Sequence, residues 1–386
     1  MNLRRRTPLG WRQLSHQPSR LLVALAGVAF ADILIFTQLG FQGALYNSAT
    51  RLHRSLNADI ILINPQALNL TQPSTFPRRR LSQAKSIDGV ESAEPLYVNL
   101  GTWKNPETRE NATLLILGFK PDQPVFDRSD VNQNLHLLKV PDTVLFDQAA
   151  RGQYQTTIQQ VQNQQPVTTE LERRTVRIKG LYAVGASFGA DGSLMMSDQT
   201  FLNLYPRRQA SSVSIGLIEV KPGYDPQQVT AVLKSILPND VLVLTKAEFI
   251  AFEENYWTHH TAVGFVFGLG TVMGFVVGVI IVYQVLTTDV NDHLAEYATF
   301  KAMGYRYRYF LGVIFEEAII LAVLGFIPGI TVTLGIYNLA HHATNLPIYM
   351  TSLRAIQVFI LTLIMCVVSG TLTSRKLQAA DPADLF

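Results

Sequence analysis

Few side chains in this sequence belong to the types that do chemistry, and their spacing argues against most reactions. The one cysteine, Cys366, lies in an apolar run, so neither an intramolecular disulfide nor a cysteine-based zinc site can form. The pairs His259-His260 and His341-His342 could contribute metal ligands, but adjacent histidines on a helix point in different directions, and interfacial side chains are the better reading. No Gly-x-x-x-x-Gly-Lys-Ser/Thr phosphate loop occurs, so the chain cannot hydrolyse ATP alone. No nucleophile–base arrangement is visible either. No catalytic, cofactor-binding or metal residue is assigned, and the chain reads as a non-enzyme.

Three carboxylates stand in apolar context. Asp32 lies about 16 Å into the first apolar run at 1.5 Å per residue, with Gln38 and Gln42 on nearby turns. Ionised in lipid it would cost at least ~2.5 kcal/mol, so it must face protein or water, or be protonated. A substrate path or proton site is one reading. A polar lock between helices is favoured, because no basic residue occurs inside a span as its partner. Glu316 and Glu317 fall near Arg306 and Arg308, which suggests interfacial placement.

The elements that position these residues follow from composition. The 386 residues are 48% hydrophobic and only 16% charged, against about a quarter charged in soluble proteins. Residues 46–258 hold 21 basic and 21 acidic residues and resemble a soluble domain with no net charge. The net charge of +3 comes largely from Arg4, Arg5, Arg6, Arg12 and Arg20, which excludes a basic nucleic-acid face. Four runs are long enough to span a bilayer: 21–45, 261–287, 310–340 and 355–372. Arg4–Arg6 followed by 21–31 mimics a cleavable signal, but the apolar pattern resumes at Ile33 and runs to Leu45, so a span is expected. Basic residues flank alternate sides: the N-terminal arginines, then Lys301, Arg306 and Arg308, then Arg375 and Lys376. Both termini are therefore expected in the cytoplasm of a multi-pass plasma (inner) membrane protein.

The expected fold is membrane α-helical, four transmembrane helices with a large mixed α/β extracytoplasmic domain inserted between helices 1 and 2. The segments are 1–20 cytoplasmic, 46–258 external, 288–309 cytoplasmic loop, 341–354 short external loop and 373–386 tail. In the external domain, 59–64, 93–102, 113–119, 175–184, 212–220 and 241–244 read as strands. Helices are expected over 76–87, over 226–237 with Asp225 as N-cap, and over 246–257. Thr245 and Glu248 form a capping box for the last. The Gln/Thr-rich stretch 152–172 is expected to be a long hairpin or mobile loop. Helix 246–257 runs almost directly into the second span, which predicts mechanical linkage. Two Asn-x-Thr triplets, at Asn69 and Asn111, receive no role.

In the second span Gly264, Gly268, Gly270, Gly274 and Gly278 give three overlapping GxxxG pairs, which favour close helix packing. Whether the partner helix belongs to this chain or a second copy stays open. Pro328-Gly329 predicts a kink, either a hinge or a static shape.

The loop 289–305 is the most informative segment. Asp289 or Asn291 can cap a helix whose apolar face is Val290, Leu294, Tyr297/Ala298 and Ala302, ending with Lys301 in the last turn and Gly304 at C′. Such a helix could pack on lipid or dock a cytoplasmic partner. The run Glu296-Tyr297-Ala298-Thr299-Phe300-Lys301-Ala302-Met303-Gly304, the Gly/Pro-broken span after it, and the ending Ala380-Asp381-Pro382-Ala383-Asp384-Leu385-Phe386 resemble the FtsX/MacB family of ABC-transporter permeases. The N-terminal 21–34 run and Arg51-Leu52-His53 resemble its cyanobacterial DevC-type, heterocyst-glycolipid branch.

That resemblance implies a homodimer in the lipid bilayer. Each copy would bind a separate ABC ATPase that carries the ATP and magnesium, so the chain itself needs no cofactor. Asn291, Leu294, Glu296, Tyr297, Phe300, Lys301 and Gly304 would form the coupling element. The external domains would meet a periplasmic membrane-fusion adaptor and a TolC-like outer-membrane channel. Transmitted motion would then drive export of an envelope glycolipid or similar substrate, and no nucleic acid is involved. An FtsX-like subunit that switches an envelope hydrolase, or a lipoprotein-releasing permease, are the alternatives.

Overall fold

Length and apolarity dictate the largest elements. The computed structural model describes residues 9–16, 18–294, 296, 297, 299 and 303–379. Among them, four helices are long and apolar enough to cross a membrane. They are α2 (Pro18–Ser55), α9 (Ala262–Asp292), α10 (Tyr307–Thr344) and α11 (Ser352–Ala379). A short helix, α1 (Leu9–His16), precedes them. The protein is an integral membrane protein with a large mixed α/β domain between its first and second spans.

The chain divides into two compact units, and the division falls within α2 after Gly43. One unit comprises the described parts of Met1–Gly43, Ala262–His342 and Ile348–Phe386. Its interior is a cluster built from Ala24, Val28 and Ala31 of α2, Leu286 and Val290 of α9, Ile314, Ala318 and Leu321 of α10, and Met365 and Cys366 of α11. Small residues on α2 let the other helices approach; a Cβ at Gly325 of α10 would meet Val28 Cβ at 2.6 Å.

The other unit, Ala44–Thr261 with Ala343–Pro347, is the inserted domain. Its strands are β1 (Ile60–Ile63), β2 (Phe76–Pro77), β3 (Val90–Lys104), β4 (Asn111–Phe119), β5 (Thr143–Asp147) and β6 (Val167–Leu171). They continue with β7 (Arg174–Tyr182), β8 (Ser193–Ser197), β9 (Ser212–Val213), β10 (Ile215–Val220) and β11 (Leu242–Thr245), and the helices α4 (Ser129–Asn132), α6 (Asp198–Leu204) and α7 (Pro226–Ile236) lie among them. Nine strands form one sheet in the order β11-β1-β10-β3-β4-β8-β5-β7-β6. The sheet is mixed: β4–β8 and β5–β7 are parallel, whereas the other ladders are antiparallel. The first half of β3 pairs with β10 and the second half with β4. Trp103 of β3 also reaches Leu171 of β6, which closes β3-β4-β8-β5-β7-β6 into a ring.

Both faces of this sheet are covered. Ile60 and Leu62 of β1, Leu114 and Ile116 of β4, and Val144 and Phe146 of β5 point into one core. Ile61, Ile63, Leu115, Leu117 and Leu145 point into the other. A strand buried on both faces is apolar at every position, because its side chains alternate between two dry cores.

Two sequence expectations change here. The helix expected over 76–87 is shorter, α3 (Arg79–Lys85), because Phe76-Pro77 pairs with Ser212-Val213 as β2 and β9. The stretch 152–172 is not a mobile loop: α5 (Gln155–Gln162) precedes β6, which turns at Glu172-Arg173 into a hairpin with β7. Val161, Val167, Thr169 and Leu171 turn inward, while Gln162, Gln164, Gln165 and Thr168 are exposed.

The capping box before α8 (Lys246–His259) is present as read. The Glu248 N–H donates to Thr245 Oγ1 at 3.2 Å, and the Thr245 N–H donates to Glu248 Oε2 at 2.7 Å. That N–H, aided by Lys234, holds the Glu248 carboxyl below the usual glutamate range, with slight burial opposing. Thr245→Ala is expected to cost about 1 kcal/mol in a denaturant melt. The carboxylate's contribution is present above the ordinary glutamate value of about 4.3 and is lost as pH falls below it. Glu248→Gln should therefore flatten part of the acid limb of the stability profile.

Candidate functional site

Among the described residues of the loop between α9 and α10, Tyr297 is the buried aromatic anchor. Apolar packing carries α9 through Leu286 and Val290 to Asp292, so Asp289 and Asn291 lie inside that helix and do not cap a new one. The short helix of the loop begins after His293, where the Tyr297 N–H donates to the His293 carbonyl at 3.0 Å. Tyr297 is buried and meets Phe310 of α10 edge-on, with centroids 5.4 Å apart. It fixes the loop to the bundle and is not available to a partner. Leu294 is half-buried, while Asn291, Glu296, Thr299 and Gly304 are exposed. Phe300 and Lys301, with Ala298 and Ala302, lie outside the described residues.

Gly304 has φ +89°, the left-handed conformation expected of a C′ glycine. Met303 and Tyr305 flank it, and Met303 is 60% exposed. The loop thus offers an acidic residue and two large side chains outward while its inward face is pinned.

Asp32 joins three helices. Its side chain is fully buried, and Thr362 Oγ1 of α11 donates to Oδ1 at 2.6 Å. Gly329 of α10 packs directly on it: a Cβ there would meet Asp32 Cβ at 2.9 Å. This is the arrangement of a polar lock, although Oδ2 has no hydrogen-bond partner. Tyr337 donates to the Phe36 carbonyl, a second tie between α10 and α2. Helix α10 continues through Pro328, and the Thr331 and Thr333 hydroxyls bond the Ile327 and Gly329 carbonyls.

The glycines of α9 divide into two groups. Gly278 faces Met365 and Ala31, Gly274 faces Ile35, and Gly270 carries the Gln38 side chain. These serve packing inside the chain, and Gly264 is buried too. Gly268 differs: nothing among the described residues lies within 4 Å of a Cβ built there.

The histidine pairs stay on the surface. His260 stacks on Tyr256, and the rings of His341 and His342 are 5.8 Å apart. Among the described residues no group of three or more His, Cys, Asp or Glu is placed to hold a metal ion.

Two features escaped the sequence reading. Glu317 is not interfacial: it is fully buried and contacts Asp289 of α9. In the inserted domain, Asp147 at the end of β5 closes the loop 183–192. Its Oδ1 accepts from the N–H groups of Ala149 (3.1 Å) and Val184 (2.9 Å). Its Oδ2 accepts from the Gly185 N–H (2.8 Å) and the Ser193 hydroxyl (3.2 Å). Burial, with the Asp147 charge adding, pushes the Tyr182 phenol well up, and its hydroxyl donates to Ser193. A buried aspartate ending an apolar run, Thr143 to Phe146, was the available signal.

Residues 268–382 match the family model described as FtsX-like permease C-terminal. That stretch begins within α9, contains the loop and takes in α10 and the described part of α11. No curated protein matches the chain. Among solved structures, the chain is similar to the periplasmic region of MacB from Actinobacillus actinomycetemcomitans, at 14% identity and TM-score 0.33, over 52% of this chain and 94% of that one. It is also similar to the extracellular domain of the noncanonic ABC-type transporter YknZ from Gram-positive bacteria, at 11% identity and TM-score 0.32, over 49% and 100%. A third is a domain of a putative permease protein from Porphyromonas gingivalis, at 14% identity and TM-score 0.30, over 49% and 89%. Likenesses of this degree carry no functional weight.

Proposed function

We propose that this chain is the permease subunit of an ABC exporter of FtsX/MacB type, and that the loop after α9 receives the push of a separate ATPase. The observation that carries the proposal is the FtsX-like match over most of the last three spans, which contains a loop pinned inward by Tyr297 and open outward at Glu296, Met303 and Tyr305. Basic residues around the spans support a cytoplasmic loop and cytoplasmic termini. Two copies would pair in the inner membrane, with Pro328-Gly329 as a hinge. The inserted domain would stand in the periplasm, meet an adaptor leading to an outer-membrane channel, and move an envelope glycolipid or similar substrate.

A photo-crosslinking residue placed at Met303 in whole cells tests the docking surface. The expected adduct contains a protein with a phosphate-loop sequence. Glu296→Lys should reduce that adduct at least about tenfold, since reversing a charge at a docking rim weakens association, while membrane insertion stays intact. Failure to capture a nucleotide-binding protein, or an adduct indifferent to Glu296→Lys, rejects the assignment.

A further inference from the structure

We propose that Glu317 and Asp289 are joined by one shared proton, which fastens the root of the loop after α9 to α10. Both residues belong to the bundle unit, and the inference stands whether or not an ATPase docks on that loop.

The geometry is a contact between acceptors. Glu317 is 0% exposed, and neither of its oxygens has a donor; Asp289 Oδ2 is buried and equally without one. Each carboxyl meets the other, and Asp289 also faces His293. Two carboxylates offer only lone pairs, so their contact becomes a hydrogen bond only when one carries a proton. With the proton present, Glu317 donates to Asp289 and the pair bears one negative charge. Without it, two like charges face each other where water is scarce.

The surroundings favour a single retained charge. His293 lies one turn along, its Nδ1 3.7 Å from Asp289 Oδ1 and 3.0 Å from the Asp289 carbonyl. Arg20 of α2 pairs with Asp292 and adds positive field at Asp289. Glu296 from the loop and Glu316 beside Glu317 add negative field. Helix α1 covers the stem: a Cβ on Gly10 would meet Glu317 Cγ at 2.9 Å. A cation in place of the proton finds too few ligands, for no three acidic, histidine or cysteine groups converge among the described residues.

The joint sits where it matters. Asp289 lies one helical turn before His293, where the loop begins, and Glu317 lies two turns after Phe310, on which Tyr297 rests. The proton and the aromatic anchor therefore both tie the α9 end of the loop to α10.

Infrared spectroscopy on the full chain in lipid nanodiscs tests the proton directly. Asp32→Asn removes the other buried carboxyl of the bundle from the spectrum. In that background a protonated-carboxyl band is expected at neutral pH, and Glu317→Gln should lower it by the intensity of one carboxyl; a band indifferent to Glu317→Gln overturns the proposal. A spectrum of Asp32→Asn showing only ionised carboxylates overturns the proposal.

Discussion

Asp147→Ala is expected to destabilise the inserted domain by about 4 kcal/mol, since each buried donor left without a partner costs about 1–3 kcal/mol. Three backbone N–H groups and one hydroxyl lose their acceptor together, at the junction of three neighbouring strands. Val184 is tied twice, because Arg51 also donates to its carbonyl. Releasing the loop 183–192 therefore loosens the contact with residue 51 as well. Asp147→Asn should be intermediate: its amide oxygen keeps part of the set, while its NH2 group faces donors. Thermal melts of the full chain, followed by protease resistance of the inserted domain, measure the ordering. A melt of Asp147→Ala that overlays wild type would show that water replaces the lost carboxylate at no cost.

The second large effect separates two glycines of one helix. Gly278→Val should destabilise the bundle by about 1–3 kcal/mol, the usual cost of overpacking. Its Cβ would strike the Met365 sulfur, which can move, and would approach Ala31 Cβ at 2.8 Å, which cannot. Gly268→Val, ten residues earlier, has open space and should leave the melting temperature unchanged. Size-exclusion stability assays in detergent compare the two. Weaker self-association of Gly268→Val at an unchanged melting temperature would assign that face to a second copy; equal damage from both substitutions would remove the distinction.

How much of this was legible depended on how local the cause was. The box of Thr245 and Glu248 involves residues three apart, and it stands as read. The spans were legible because lipid demands long apolar runs, although α2 and α9 continue past the apolar limits, to Ser55 and Asp292. Strand β1 was legible as an apolar run bounded by polar residues. Strands β5 and β8 escaped because their ends, Thr143, Asp147, Ser193 and Ser197, are polar though buried, which leaves apolar runs too short to stand out. Strand β6 escaped for the opposite reason, since Thr-Thr-Glu between Val167 and Leu171 resembles a loop until its inward positions are known. At the candidate site, Tyr297 was placed on the right face but given a partner-facing role; burial against Phe310 decides otherwise. Glu317 was misjudged because proximity to Arg306 and Arg308 in sequence says nothing of which face of α10 it occupies.

The first and last strands of the inserted domain are ladder neighbours: Ile60 to Ile63 of β1 pair with Thr245 to Leu242 of β11. A polypeptide that leaves and returns through adjacent positions behaves as a cassette. It can be lifted out, or exchanged for a relative with the same spacing, without stretching either connection. Diversification of whatever the domain grips could thus proceed by swapping the cassette, with the spans left untouched.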